Sequence, residues 1–456
     1  MPLVAAAVWI AVVLAWPDAA WALTFDDSFY YFELAKRAVA GEGLTFDGRH
    51  ATNGFHPLWL LACLPLAGLD GLAIARAALV GQAVLFGAAW EGLRRRFDLP
   101  GWLVALAIVG PSVAKTWVNG MESGLVLPLH AALLTWRGPR WGWAILATLA
   151  FFARTDAGFL LLCAGLWDLR KRAPLVEKYL LPGLAILAFM AANQALFGTP
   201  VQVSGQLKAT AASPARAIWA IVVCAIPFAV ARARLADLPA TRAFLHETGW
   251  YGASCCVLVA YYTGVQTFPR LWYFGPVVLY GILLLGHVAK DLFAMGEREG
   301  RPYAVRAVIA LPLVAALVPQ VRALVDPDAT AVMRADAEAG RWIGEQLPPD
   351  AVVGSWDAGV IGWFAPQPVV NLDGVVNDVA YLRAMREGTT PALLADLTHV
   401  CNHTGSLATL EAHARAIVGE RATRWTEVRR WEYAFSGRTQ DGAAPRMTTV
   451  CFSLPR

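Results

Sequence analysis

Two carboxylates, Asp26 and Asp27, stand side by side in "TFDDSFYYFELAKRAVAGEGLTFDG", directly after an apolar N-terminal run. Adjacent acids repel, and the repulsion raises the proton affinity of one of them. A carboxylate tuned in this way suits general-base work. Capping of a helix is the plainer reading, but it accounts for one acid and not two. Other residues able to do chemistry follow at wide spacing. Glu122 lies in "VNGMESGL", as a second acid or an exposed loop acid. Arg154 and Asp156 flank Thr155 between two short apolar segments, and either join the chemistry or pair with each other to hold a wall. Lys208 is a lone cation in "FGTPVQVSGQLKAT". Arg270, in "TFPRLWYFGP", has the fork geometry for bidentate phosphate contact, while Trp272 and Tyr273 beside it fit an interfacial aromatic belt. Near the C-terminus, Trp356, Asp357, Asn371 and Asp373 suit a carbohydrate face, with ordinary turn chemistry as the alternative.

The elements that must position these residues are mostly apolar. The chain has 456 residues, of which 57% are hydrophobic and 16% charged, and its mean hydropathy is +0.48. Soluble domains carry about a quarter charged residues, so the composition is that of a polytopic membrane protein. A net charge of +4 is too mild to argue for nucleic acid. Apolar segments at 3–21, 71–93, 101–117, 120–136, 141–153, 157–168, 178–197, 215–233, 248–265, 271–289 and 303–320 are separated by basic clusters such as Arg94–Arg96 and Arg170–Arg172. Placing every cluster in the cytoplasm gives about eleven spans, with the N-terminus inside and the C-terminus outside. The run "PLWLLACLPLAG", 57–68, is too short to cross and reads as interfacial or re-entrant. Residues 1–22 are expected to be a retained span, since a basic leader region is missing and cleavage would remove the anchor of the acids. Phe25, Phe29, Phe32 and Val39 recur at helical spacing, so 26–40 is expected to be an amphipathic helix along the membrane, stopped by Gly41 and Gly43. Lys115 is expected to snorkel to the interface.

From about Val321 the composition changes. "ADAEAGRWIGEQL" and "LATLEAHARAI" read as helices, and "AVVGSW", "PVVNLDG" and "MTTVCFSL" as strands. The expected architecture is an all-α polytopic membrane domain, residues 1–320, followed by a soluble α/β or α+β domain, residues 321–456. Five of the seven cysteines lie in apolar segments, Cys224 among them; Cys401 and Cys451 could pair if the C-terminal region is extracytoplasmic.

An acidic pair after the first span, a Tyr-containing helix, "GEG", "TNGFHPLW" and a second span ending in arginines resemble the GT-C glycosyltransferases, integral membrane enzymes that use polyprenyl-phosphate sugars. The pattern is most similar to arabinofuranosyltransferase-like and mannosyltransferase-like members. The first loop also resembles that of aminoarabinose transferases and protein O-mannosyltransferases. The resemblance implies an inverting transfer of a sugar to an acceptor hydroxyl on a cell-envelope glycan, lipid or protein. It places catalysis on Asp26 and Asp27, with Asp26 ranked first. It assigns His56, before Pro57, to the donor phosphate, although a lysine-like permanent charge is missing there, and joins Lys208 and Arg270 to it. Tyr30, Glu122, Arg154, Asp156 and Trp356 are the candidates for sugar and acceptor. Asp26, Asp27 and Glu122 are the candidate ligands for a divalent ion, for which the sequence shows no complete set. The implied site is a hydrated pocket on the outer face of a bacterial cytoplasmic membrane. Two other readings stand beside it: a lipid-linked sugar transporter or flippase, which would want broken helices and repeats, and a binding protein that kept the fold and lost activity.

Overall fold

The computed structural model describes residues 1–209, 213, 215–216, 218–220, 222, 238–265, 270–404, 407–434 and 446–455. Most of the expected span 215–233, with Cys224, lies outside them. Among the described residues, four helices are long and apolar enough to cross a bilayer: Ala73–Arg96, Val176–Phe197, Leu271–Arg298 and the apolar part of Pro302–Gln346. Shorter apolar helices pack with them, including Pro2–Ala15, Ser123–Thr135 and Arg140–Ala153. Ala73–Arg96 begins in small apolar residues and ends on Arg94, Arg95 and Arg96, where cations complement the carbonyl end of a helix. Gly87 lies against Ala6, so the helix pair can approach closely. Trp9, Trp90, Trp117 and Tyr251 fill the core between these helices.

Two expectations change around residues 101–117, and the expected span 3–21 is likewise broken, into Pro2–Ala15 and Ala19–Leu23. The segment 101–117 is not one helix but two, Gly101–Ile108 and Pro111–Lys115, because Gly110 is extended and Pro111 starts anew. Lys115 does not reach outward: its Nζ donates to the Ala22 carbonyl at 2.6 Å and sits over the Phe25 ring.

The Pro302–Val325 helix runs past the composition change and is followed by Asp328–Gln346. A mixed sheet comes next, built of β1 (Val353–Ser355), β2 (Val369–Asn371), β3 (His399–Thr404), β4 (Thr426–Ala434) and β5 (Arg446–Ser453). Its order is β2-β1-β3-β5-β4. The pairs β1–β2 and β1–β3 are parallel, and β3–β5 and β4–β5 antiparallel. Cys401 of β3 lies opposite Cys451 of β5, and the two form a disulfide. The short helix Ala358–Phe364 faces the first-loop helix Asp26–Val39, and Phe29, Phe32, Val360 and Trp363 share one apolar cluster. Sheet and first loop are thus one packed body.

Candidate active site

The first-loop helix, Asp26–Val39, is enclosed rather than exposed along one face, for Ser28 to Ala35 are all buried. Val39, expected in the apolar stripe, is exposed instead. Neither acid caps this helix; at its start Ser28 Oγ accepts the Phe25 amide at 3.2 Å. Its two acids point to different partners. Asp26 turns to the C-terminal region, where its carboxylate accepts from the amides of Gly359 at 2.9 Å and Val360 at 2.7 Å. Burial, then the charge of Asp357, raise its carboxyl well above the ordinary value, against the pull of those amides. Asp27 faces a cavity of about 530 Å³. Burial raises Asp27 too; Lys208 opposes the rise, and Glu122 and Asp357 add to it.

Asp27, Tyr30, His56, Glu122, Arg154, Asp156 and Lys208 all line this cavity. Glu122 is held in place from several sides. Gln82 accepts from the amides of Asn119 and Gly120 and donates to the Met121 carbonyl. Ser28 donates to the Asn119 carbonyl at 2.8 Å. Gly120 has a φ of +79° and lies against Ser28, which is why glycine fits the turn. Glu122 is therefore a buried acid and not an exposed loop acid. It accepts from Tyr31 Oη at 3.0 Å and lies 3.8 Å from His56 Nε2.

Arg154 closes the floor. Its Nε donates to Asp156 at 3.0 Å, its Nη1 to Glu122 at 3.4 Å and its Nη2 to Tyr262 Oη at 2.7 Å. Tyr262 in turn donates to Asp156 at 2.6 Å. The pairing of Arg154 with Asp156 is thus present, and it faces the cavity. Lys208 is differently placed. Its Nζ donates to Tyr273 Oη at 3.0 Å, and it pairs with no described carboxylate. The Tyr273 ring stacks on Tyr262 at 4.6 Å. The site therefore holds a carboxylate, Asp27, and an ammonium group, Lys208, neither of which is in a close ion pair among the described residues, although each feels the other's charge. Burial lowers the His56 imidazole below its ordinary value, so a permanent cation for phosphate is absent there.

An apolar arm continues from the polar end. Phe151, Phe159, Leu162, Ile186, Phe189 and Met190 line it. Leu162 is 56% exposed, so the arm reaches the apolar outer face of the helices Arg140–Ala153, Ala157–Arg170 and Val176–Phe197.

Three expected residues stand apart from the cavity. Asp26 is tied to Gly359 and Val360, as above. Arg270 is exposed beside the cavity, and its charge still acts on Asp27. Trp356 packs in the C-terminal region near His413, and its carbonyl accepts from Asn371 at 2.9 Å. Asn371 is likewise spent inside the fold. The trio Asp26, Asp27 and Glu122 does not fit a metal: Asp26 faces away, and no group of three or more His, Cys, Asp or Glu converges among the described residues. Tyr31, Tyr262 and the C-terminal pair Val375–Val376 line the cavity without having been expected there. Trp272 and Tyr273 line it as well, rather than forming an outer belt. Only the doubled tyrosine in "FYYF" hinted at Tyr31; Tyr262 sits in an apolar segment that hid it.

Behind Asp26, His403 lies 2.9 Å from Asp336 and 3.4 Å from Asp357. Burial disfavours the charged ring, but Asp336 outweighs it, with Asp357 and Asp26 adding, and His403 is raised to about 9. Burial raises Asp373 to about 7. Both shifts are upward. The stability from His403 is present below its unfolded value of 6.5 and lost as pH rises through about 9. That from Asp373 is present below 3.8 and lost as pH rises through about 7. Thermal unfolding followed by tryptophan fluorescence is expected to show Tm falling between pH 6.5 and 9. His403→Gln flattens the upper part of that slope; an unchanged slope would refute the assignment.

A family model described as a domain of unknown function (DUF8728) matches residues 323–451. No curated protein matches the chain. Among solved structures, ArnT from Cupriavidus metallidurans in the apo state is 14% identical over 98% of both chains, with a TM-score of 0.49. The structure of that protein bound to undecaprenyl phosphate is also 14% identical, over 97% of both chains, with a TM-score of 0.49.

Proposed function

We propose that this chain is an inverting GT-C glycosyltransferase. It takes a sugar from a polyprenyl-phosphate carrier and adds it to a hydroxyl of an extracytoplasmic glycan, lipid or protein. The observation that carries the reading is that one continuous cavity joins Asp27 and Lys208 to an apolar arm open to the apolar outer surface of the helices. A ligand with a charged head and a long hydrocarbon tail has that shape. The first-loop motifs of the sequence support the same reading.

In the proposed reaction Asp27 takes the proton of the acceptor hydroxyl. The acceptor oxygen forms a bond to the anomeric carbon as the bond from that carbon to the phosphate oxygen breaks. The electron pair leaves with the carrier phosphate, which needs no proton, only positive charge nearby. Lys208 supplies that charge, with Arg270 at the rim. Arg154 bridges Glu122 and Asp156 and shapes the floor. The polar end of the cavity is assigned to the outer leaflet, with the N-terminus cytoplasmic. A disulfide in the C-terminal region supports an oxidising side for it.

Purified protein incubated with a panel of labelled polyprenyl-phosphate pentoses and hexoses is expected to release free carrier phosphate with one of them. No release from any donor, by a protein shown to be folded, would defeat the proposal. Lys208→Met is expected to raise the donor KM roughly 10- to 100-fold, the worth of a hydrogen bond to a charged group, with a smaller change in kcat. An unaltered KM would remove Lys208 from the phosphate site.

A further inference from the structure

The start of the Ala358–Phe364 helix presents backbone amides that need acceptors. Its own preceding residue, Asp357, makes no side-chain cap bond and faces His403 instead. The acceptors come from the other end of the chain. Asp26 receives the amides of Gly359 and Val360. Tyr30, one helical turn along, receives the Ala358 amide at 3.1 Å and Asn371 Nδ2 at 3.0 Å. The fit is close enough to exclude side chains. A Cβ at Gly359 would collide with the Asp26 carbonyl oxygen, and one at Gly54 with the Val375 carbonyl oxygen. Thr52 Oγ1 adds a bond to the Asn377 carbonyl at 2.8 Å. The segment so held, Val375–Val376, is a wall of the cavity that Asp27 faces.

We infer that Asp26 and Tyr30 are positioning residues, which cap a helix of the C-terminal region in trans and thereby set the cavity wall beside Asp27. The two adjacent acids divide the work, one seating the roof and the other facing the acceptor. The seating stands on the contacts alone; its effect on transfer rests on the glycosyltransferase reading.

The test uses the full-length protein in nanodiscs, with amide hydrogen exchange at residues 358–361 and steady-state transfer as separate readouts. Asp26→Ala and Gly359→Ala, which break the same seat from opposite sides, are expected to speed exchange there roughly tenfold or more. They lower kcat together, with little change in donor KM. Asp26→Asn keeps one of the two acceptor oxygens and sets an NH2 donor against the other amide, so protection and activity return only in part, above the level of Asp26→Ala. Asp27→Asn leaves protection as in the wild type while transfer is lost. Two results overturn the inference. One is wild-type protection in both Asp26→Ala and Gly359→Ala. The other is an Asp26→Asn variant as inactive as Asp27→Asn with exchange unchanged, which would make Asp26 a chemical participant. If no donor supports transfer even in the wild type, the function reading fails, while the exchange data still decide the seat.

Discussion

Asp27→Asn is expected to lower kcat by about 10²- to 10⁴-fold, the range for removing a general base, with the fold intact. The amide has nearly the shape of the acid, and Asp27 makes no described hydrogen bond whose loss would unfold the helix. What disappears is the proton acceptor. The same residue sets the pH profile. Because Asp27 is raised by burial and held back chiefly by Lys208, activity is expected to rise with pH as the carboxyl ionises. Removing Lys208 takes away the main opposing charge, so in Lys208→Met the acid limb moves to higher pH. A steady-state assay over pH 4 to 8 on the two variants measures both effects. Transfer by Asp27→Asn within tenfold of wild type, or an acid limb in Lys208→Met that moves to lower pH, would show that another group takes the proton.

Arg154→Met carries the second large effect, on folding as well as turnover. Arg154 is 5% exposed and contacts Asp156, Glu122 and Tyr262 together. Truncating it leaves two acids enclosed without their cation. Breaking a buried ion pair from one side costs about 3–5 kcal/mol. Thermal unfolding in detergent is expected to show a Tm well below wild type. Neutralising a stranded acid should recover part of the loss, so Arg154→Met combined with Asp156→Asn is expected to be more stable than Arg154→Met alone. The two changes are neighbours and should be far from additive. Equal Tm values for wild type and Arg154→Met would mean that the floor of the cavity is held by other contacts.

Much of the fold was legible where a local pattern decides it. The helix at Asp26, the short apolar piece after Pro57 and the C-terminal strands around Val353, Val369 and Val450 follow from periodicity and turn residues. The Gly110–Pro111 break was legible too in principle, but a long apolar run masked it. The site was legible by residue type and only partly by role. Asp26 and Asp27 are neighbours in sequence, yet successive side chains of a helix point about 100° apart. Which one meets the cavity depends on Gly359, more than three hundred residues away, and no short-range pattern reports that. The plain capping reading was right in kind and wrong in address, since Asp26 caps a helix other than its own. Tyr262 and Tyr273 escaped because a tyrosine in an apolar segment looks like packing until its hydroxyl partner is known.

The last membrane helix passes through only Asp326 and Pro327 before Asp328–Gln346 begins. That second helix carries Asp336, which holds His403 and Thr449 of the sheet. The sheet is therefore not hung on a slack tether. It rides on a strut that grips β3 and β5 through His403 and Thr449. Helix tilt is set by packing against neighbouring helices and by interfacial anchors, so the contacts of Pro302–Val325 within the bundle also bear on where the sheet sits.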